Sequence, residues 1–465
     1  MNRLSTATTE AAWSPYDPKA DGAWDLPRVV HLHRRAGFAA SWGELQRDLK
    51  EGPGPSVARL LDGMARGPSE GVPEGFESIA TVLADAAVAS GDPARLKAWW
   101  VYRMLFGPDP LGERLTLLWH DHFATSNVKV DDLAAMRRQN ETLRRLARAP
   151  FGELLNAAVR DPALLAWLDA SANRKGHPNE NLARELMELF TLGVGHFTEP
   201  DVKEAARALT GWSGTEGAFH EDAAVHDDGD KTVLGRKGRW SGGDLVKILL
   251  DQPATAERLA WRLCRLLFGE GAIDRASVSA LADGLRATRL DVGWGVATIL
   301  RSRAFFAESN LRSKVIDPVG FVLGPARALE LLEPPPSTLV LADWAARLGL
   351  DLFYPPNVGG WRGGRSWLSA GAVVGRANFA AAVVEGQGIG RSTPFDALDL
   401  AARHGRGRDR GDAIAFFAEL LLGSEPGPAW RSRLEAATGS PSSWGQEPAR
   451  RAVALILACP EAQLG

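Results

Sequence analysis

The sequence predicts an all-α protein, a multi-helix globular array interrupted by two glycine-rich irregular insertions. Three observations carry that prediction. Apolar residues recur at three- and four-residue spacing along most of the 465-residue chain. Gly, Pro or Asp ends most of those runs. Two stretches, 211–243 and 354–372, break the period with Gly, Asp and Trp instead.

The elements follow in order. Residues 1–27 are rich in Ser, Thr, Asp and Pro and read as a mobile or loosely docked arm. From "RVVHLHRRAGF" onward helical periods dominate: "SVARLLDGMARG", "FESIATVLADAAVASG", "ARLKAWWVYRMLFG", "GERLTLLWHDHF", "DDLAAMRRQNETLRRLARAP" and "FGELLNAAVRDPALLAWLDA". In "NENLARELMELFTLGVGHF" a helix capped at or just before Asn179 ends at Gly193 or Gly195. "FTEPDVKEAARALTGW" begins with a capping sequence, Thr198 with Asp201 three residues on and Pro200 in the first turn. The 211–243 stretch reads as a long loop or a small β-hairpin, Asp228-Gly229 being its turn signal. Helices resume at "GDLVKILLDQPATAERLAWRLCRLLFG" and continue to the second insertion, "YPPNVGGWRGGRSWLSAGA". The expected organisation is a main helical domain over 28–385 and a helical segment, 386–465, packed on it.

Composition narrows the function. A formal charge of -3 sets up no global field for nucleic acid or an anionic membrane. Two cysteines, Cys264 and Cys459, rule out a disulfide framework or a cysteine-built metal site. No apolar run reaches membrane-spanning length. With no signal-like h-region at its start the chain is expected to be cytoplasmic. The P-loop, H-E-x-x-H, G-x-S-x-G, Cys-x-x-Cys and di-iron E-x-x-H patterns are all absent, and "GQGIG" at 386–390 follows no strand. Sixteen tryptophans against three tyrosines are unusual. Most belong in the core, but indoles also stack on ring ligands.

Three polar constellations stand out. In "LLWHDHFATS", His120 and His122 lie two apart; on a helix they point about 200° from each other. His122 shares a face with Leu115 and Leu118 and is expected to point inward, His120 elsewhere. Asn181, Glu185 and Glu188 fall on one helix face bordering an apolar stripe. Such carboxylates need cations, either Arg184 and Arg207 or a metal. "FHEDAAVHDDGDKTVLG" crowds His226, Asp227 and Lys231 into a loop whose register fails the EF-hand pattern.

In these pieces, together with "HLHRRAGF" and "PPNVGGWRGGRSWLSAGAVVGRANF", the chain resembles the domain-of-unknown-function 1800 family over residues ~28 to ~380. The family pattern matches at His31, Trp119, His120, His122, Asn181, Glu185, Glu188, Gly211, Trp212, His226, Asp227, Lys231, Gly235, Asn357, Gly360, Trp361 and Trp367. The resemblance implies no settled activity. It implies export for many members, from which the start of this chain departs. It also implies a pocket shared by the H-D-H helix end, the E-L-M-E-L helix and the Gly/Asp loop.

The expected site is therefore a partly buried polar pocket for a divalent metal or iron. His120, His122 and His226 are its metal ligands, and Glu185, Glu188, Asp227 and Lys231 its acid–base groups. Arg184 and Arg207 bind an anionic group or neutralise the carboxylates. Trp361 and Trp367, on a loop closing over the pocket, stack on the ligand. The activity expected is metal-assisted hydrolysis or oxidation of an unknown small molecule. The alternative is a non-catalytic helical scaffold binding a partner protein or glycan, its polar cluster an internal hydrogen-bond and salt-bridge network.

Overall fold

The computed structural model describes residues 12–63, 66–67 and 70–465. Among the described residues helix accounts for 62% of the structure, in 23 α-helices. The first ten are α1 (Leu26–Ala36), α2 (Trp42–Glu51), α3 (Pro53–Leu61), α4 (Phe76–Ser90), α5 (Pro93–Phe106), α6 (Pro110–His122), α7 (Asn127–Val130), α8 (Leu133–Arg145), α9 (Phe151–Ala158) and α10 (Pro162–Trp167). The middle set is α11 (Asn181–Glu185), α12 (Glu199–Ala208), α13 (Gly242–Leu250), α14 (Pro253–Leu267), α15 (Arg275–Ala287) and α16 (Val292–Arg301). The last are α17 (Pro318–Ala328), α18 (Thr338–Arg347), α19 (Ala370–Glu385), α20 (Ala397–Arg403), α21 (Arg410–Leu422), α22 (Pro428–Ala437) and α23 (Gln446–Ala458).

Local chemistry starts these helices where the sequence places them. Asp109 and Asp161 cap α6 and α10, each with Pro in the first helical position, where a missing N–H is harmless. Thr198 and Asp201 form the reciprocal capping box expected at the start of α12. Among the described residues the only sheets are two antiparallel ribbons, β1 (Trp212–Ser213) with β2 (His220–Glu221) and β3 (Lys231–Val233) with β4 (Arg236–Gly238). The hairpin expected in the Gly/Asp stretch is present, but its turn is Leu234-Gly235, both at positive φ, rather than Asp228-Gly229.

The helices pack around two cores. Trp99, Trp100, Phe321, Phe379, Phe416 and Val453 belong to the first, which draws on α4, α5 and the helices from α17 onward. Trp119, Phe151, Phe190, Trp212, Leu263 and Phe305 belong to the second, built mainly from the middle of the chain. Four helices, α1, α6, α8 and α10, divide their side chains between both. In α1, Val29 and Val30 enter the first core, Leu32 and Ala36 the second. In α6, Leu117 enters the first, while Leu111, Leu115 and Trp119 enter the second. Residues 12–25 run along the second core: Trp13 Nε1 donates to Ser277 O (2.8 Å) and Tyr16 N to Arg301 O (2.8 Å). Residues 1–11 of the expected arm lie outside the described residues. No helix among the described residues is long and apolar enough to cross a membrane.

Candidate functional site

Both H-x-H pairs lie on helices that straddle the cores, and that placement accounts for them. Residues two apart on a helix leave it in nearly opposite directions. On α6, His120 enters the first core against Trp100, Phe353 and Trp361 (ring centroids 5.3, 5.5 and 5.7 Å). Its Nε2 accepts the Phe353 N–H at 3.2 Å. Burial pulls its pKa down to about 3, so the ring is neutral. His122 enters the second core among Phe123, Phe151 and Phe190. Its Nε2–H donates to Phe190 O (3.1 Å), and burial with Arg262 and Arg258 nearby holds its pKa well below the usual histidine value. On α1, His31 Nε2 bonds Phe305 O (3.1 Å), while His33 pairs with buried Asp48 (2.8 Å). His122 points inward as its helical spacing requires; His120 is equally buried, on the opposite side.

The E-L-M-E-L segment meets α6 through its backbone. After α11 the chain widens into a π-helix, Leu186–Thr191, where the Thr191 hydroxyl donates to Leu186 O (2.6 Å). Carbonyls in a last helical turn have no intrahelical donor, and His122 supplies one to Phe190. Glu185 is half-buried, its carboxyl pushed up by burial and by Glu188 beside it. Arg184 turns outward to Glu180 (2.9 Å) and Glu199 (2.7 Å). Asn181 is exposed and takes part in its own helix cap through Asn179.

The Gly/Asp loop closes on α12 instead. Arg207 grips Asp227 through Nε (2.7 Å) and Nη2 (3.2 Å) and Glu204 through Nη1 (2.9 Å to each oxygen). The Arg207 hydrogen bonds hold the Asp227 carboxyl at about 2. His226 Nδ1 bonds Thr210 O (2.9 Å). Lys231 is buried, donating to Asp227 O and Gly229 O, and burial lowers its pKa. The exposed edge of β3 is capped by α12: Glu204 accepts from Thr232 N (3.0 Å), Asp201 from Leu234 N (2.7 Å).

The expected convergence of His120, His122, Glu185, Glu188, His226 and Asp227 on one pocket is thus not formed. Each histidine is held by the backbone of a different segment, and Asp227 is neutralised by Arg207. Among the described residues no three His, Cys, Asp or Glu side chains are grouped to hold a metal ion.

A cavity of about 640 Å³ lies between the cores instead. Its walls come from α6 (Leu117, Leu118, Asp121), α14 (Trp261, Arg262, Cys264, Arg265), the segments around 269–278 and 314–317, and the second glycine-rich insertion. Trp361 and Trp367, the two indoles that the sequence assigns to stacking, both line it. They also line a second cavity of about 420 Å³, so their loop is a partition between two spaces.

That loop is pinned to α6 and α14. Asp121, the residue between the two histidines, accepts from Trp361 N (2.8 Å) while pairing with Arg262 (2.8 Å). Arg265 donates to Arg362 O (2.5 Å). Gly360 is needed at φ +74°, where a Cβ would sit 2.2 Å from Asp121 Oδ1.

The cleft carries more cations than anions. Arg114, Arg262, Arg265, Arg275 and Lys314 line it, against Asp121, Glu270 and Asp317. Asp121 is taken by Arg262, and Asp317 by Arg114 (2.5 Å). Among the described residues neither Arg265 nor Lys314 has an ion-pair partner. Arg265 stacks on Trp261 (5.2 Å) with Arg258 on the same ring (5.1 Å). Sequence reasoning missed Arg262, Arg265, Lys314 and Asp121. The available signal was Trp261-Arg262 and Arg265 at i, i+3 in "AWRLCRLLFG", which by itself reads as an ordinary amphipathic face.

The fold and cleft define a two-core helical protein with a cationic, tryptophan-walled cavity between its cores. The chain belongs to the family described as protein of unknown function, DUF1800, which it matches over residues 31–464. No curated protein and no solved structure matches it.

Proposed function

We propose that this protein binds a small organic anion with an apolar or ring body in the cleft between its cores. The observation that carries this reading is Arg265 and Lys314 facing a large cavity without carboxylate partners, beside Trp261, Trp361 and Trp367. A cation without an ion-pair partner at a cavity wall offers an anchor for a ligand's anion, at the same place that indoles supply apolar area. In this reading the histidines and Asp227 are structural, each held by hydrogen bonds within the protein. The internal pairing of Arg207 with Asp227 and Glu204, and of Arg184 with Glu180 and Glu199, supports that role.

The test uses anilinonaphthalene sulfonate, an anionic ring probe, beside neutral N-phenylnaphthylamine. Saturable sulfonate binding is expected, weakened at least about tenfold (1.4 kcal/mol) in Arg265→Ala, with the neutral probe little changed. Trp367→Ala is expected to weaken both probes. Equal binding of the two dyes, unaffected by Arg265→Ala, would overturn the reading.

A further inference from the structure

Among the described residues Lys314 has no ion-pair partner, and its one hydrogen-bond partner is a backbone carbonyl. Its Nζ donates to Leu266 O, near the C-terminal end of α14, and it lines the cleft. The charged groups facing it are Arg35 from α1, Arg114 from α6, Arg265 from α14 and Asp317 at the start of α17. Asp317 is held by Arg114 and by its cap bond from Gly320 N (2.8 Å), so it does not serve Lys314 as an ion-pair partner. Arg35 spends its guanidinium on the carbonyls of Leu267 (3.1 Å), Asn310 (3.0 Å) and Gly465 (2.6 Å). The amine therefore lines the cavity within a cationic wall, its charge met by one backbone carbonyl and by no ion-pair partner.

From this geometry we infer that Lys314 is a covalent capture site, forming an imine with an anionic aldehyde or ketone bound in the cleft. The inference rests on the anion-binding reading above. The amine lone pair forms a bond to the carbonyl carbon, and the C–O bond then breaks. The oxygen leaves as water with the two amine hydrogens, so no oxidant or reductant is involved. Arg265, facing the same cavity, holds the carboxylate or phosphate of the ligand, and Trp361 and Trp367 bound its remaining body. Supporting this, burial and the neighbouring arginines lower the Lys314 pKa to about 7, leaving much of the amine neutral near pH 7.

Lys231 provides an internal contrast: it is buried and its pKa is lowered as well, but the Asp227 and Gly229 carbonyls occupy it away from any cavity that Lys314 lines.

The experiment incubates the full chain with glyoxylate and cyanoborohydride at pH 7 and maps carboxymethylated lysines by peptide mass spectrometry. Labelling at Lys314 is expected to exceed that at exposed Lys237 and at Lys231 by at least about tenfold, because the cleft holds the glyoxylate beside the Lys314 amine. Lys314→Arg should abolish the preferred label. If dye binding holds but Lys314 is labelled no more than Lys237, the imine inference falls while the binding reading stands. If the dye does not bind, the cleft reading itself fails.

Discussion

The two glycine-rich insertions look alike in one dimension and do opposite things in three. The first, at 211–243, lies down on α12 and satisfies its own charges: Arg207 between Asp227 and Glu204, Lys231 on two carbonyls, β3 edge amides on Asp201 and Glu204. The second, around 354–369, stands between two cavities, held by Asp121 and Arg265, and leaves its tryptophans facing open volume. The difference teaches that polar density marks a site poorly. A polar group with a partner is structure; one without a partner, beside a cavity, is where a ligand has something to offer.

Acid should act on the closed regions most strongly. Burial lowers the pKa of His31, His120 and His122, so each is neutral when folded but takes up a proton when unfolded below its ordinary value near 6.5. Their contribution is complete above that pH and is lost as pH falls. With three protons gained on unfolding, stability should drop by about 4 kcal/mol per pH unit around pH 5. Guanidinium denaturation between pH 7 and 5 measures it, and a flat profile would mean these rings are not sealed in the cores.

The next effect belongs to the open loop. Gly360→Ala forces a side chain into left-handed backbone and onto Asp121, and should cost about 3 kcal/mol. It should also weaken sulfonate-dye binding, because Asp121 and Trp361 are tied through the same bond. A variant with wild-type stability and dye affinity would show that the loop is not pinned there.

Asp227→Asn should cost less, about 1 kcal/mol at neutral pH, since solvent reaches part of the Arg207 pair. Because the Asp227 pKa is lowered to about 2, its contribution is present above pH 4 and lost between 4 and 2. The wild type should therefore lose more stability than the variant across that window. Dye binding should be unchanged, and a matching loss of binding would join the two insertions into one site.

The smallest stability effect is expected at the cleft itself. Arg265→Ala removes an exposed guanidinium with no carboxylate partner, so thermal denaturation should change by less than about 0.5 kcal/mol while the anionic probe is lost. A large destabilisation would move Arg265 into the structural class.

The sequence by itself determined the helices, the Thr198–Asp201 box, the inward turn of His122 and the placing of Trp361 and Trp367 on one glycine-rich loop. Each depends on spacing within a few residues, where the helical period and capping geometry leave little choice. The tertiary structure alone decided that α1 and α6 lie between two cores, which sends the histidines of each H-x-H pair to opposite sides. It alone brought Asp121, Arg265 and Lys314 to one cavity from helices and loops that are far apart in the chain. The physical reason is that periodicity tells which way a side chain leaves its own helix. Whether a partner, a core or an empty space waits there depends on segments packed against it from elsewhere in the chain.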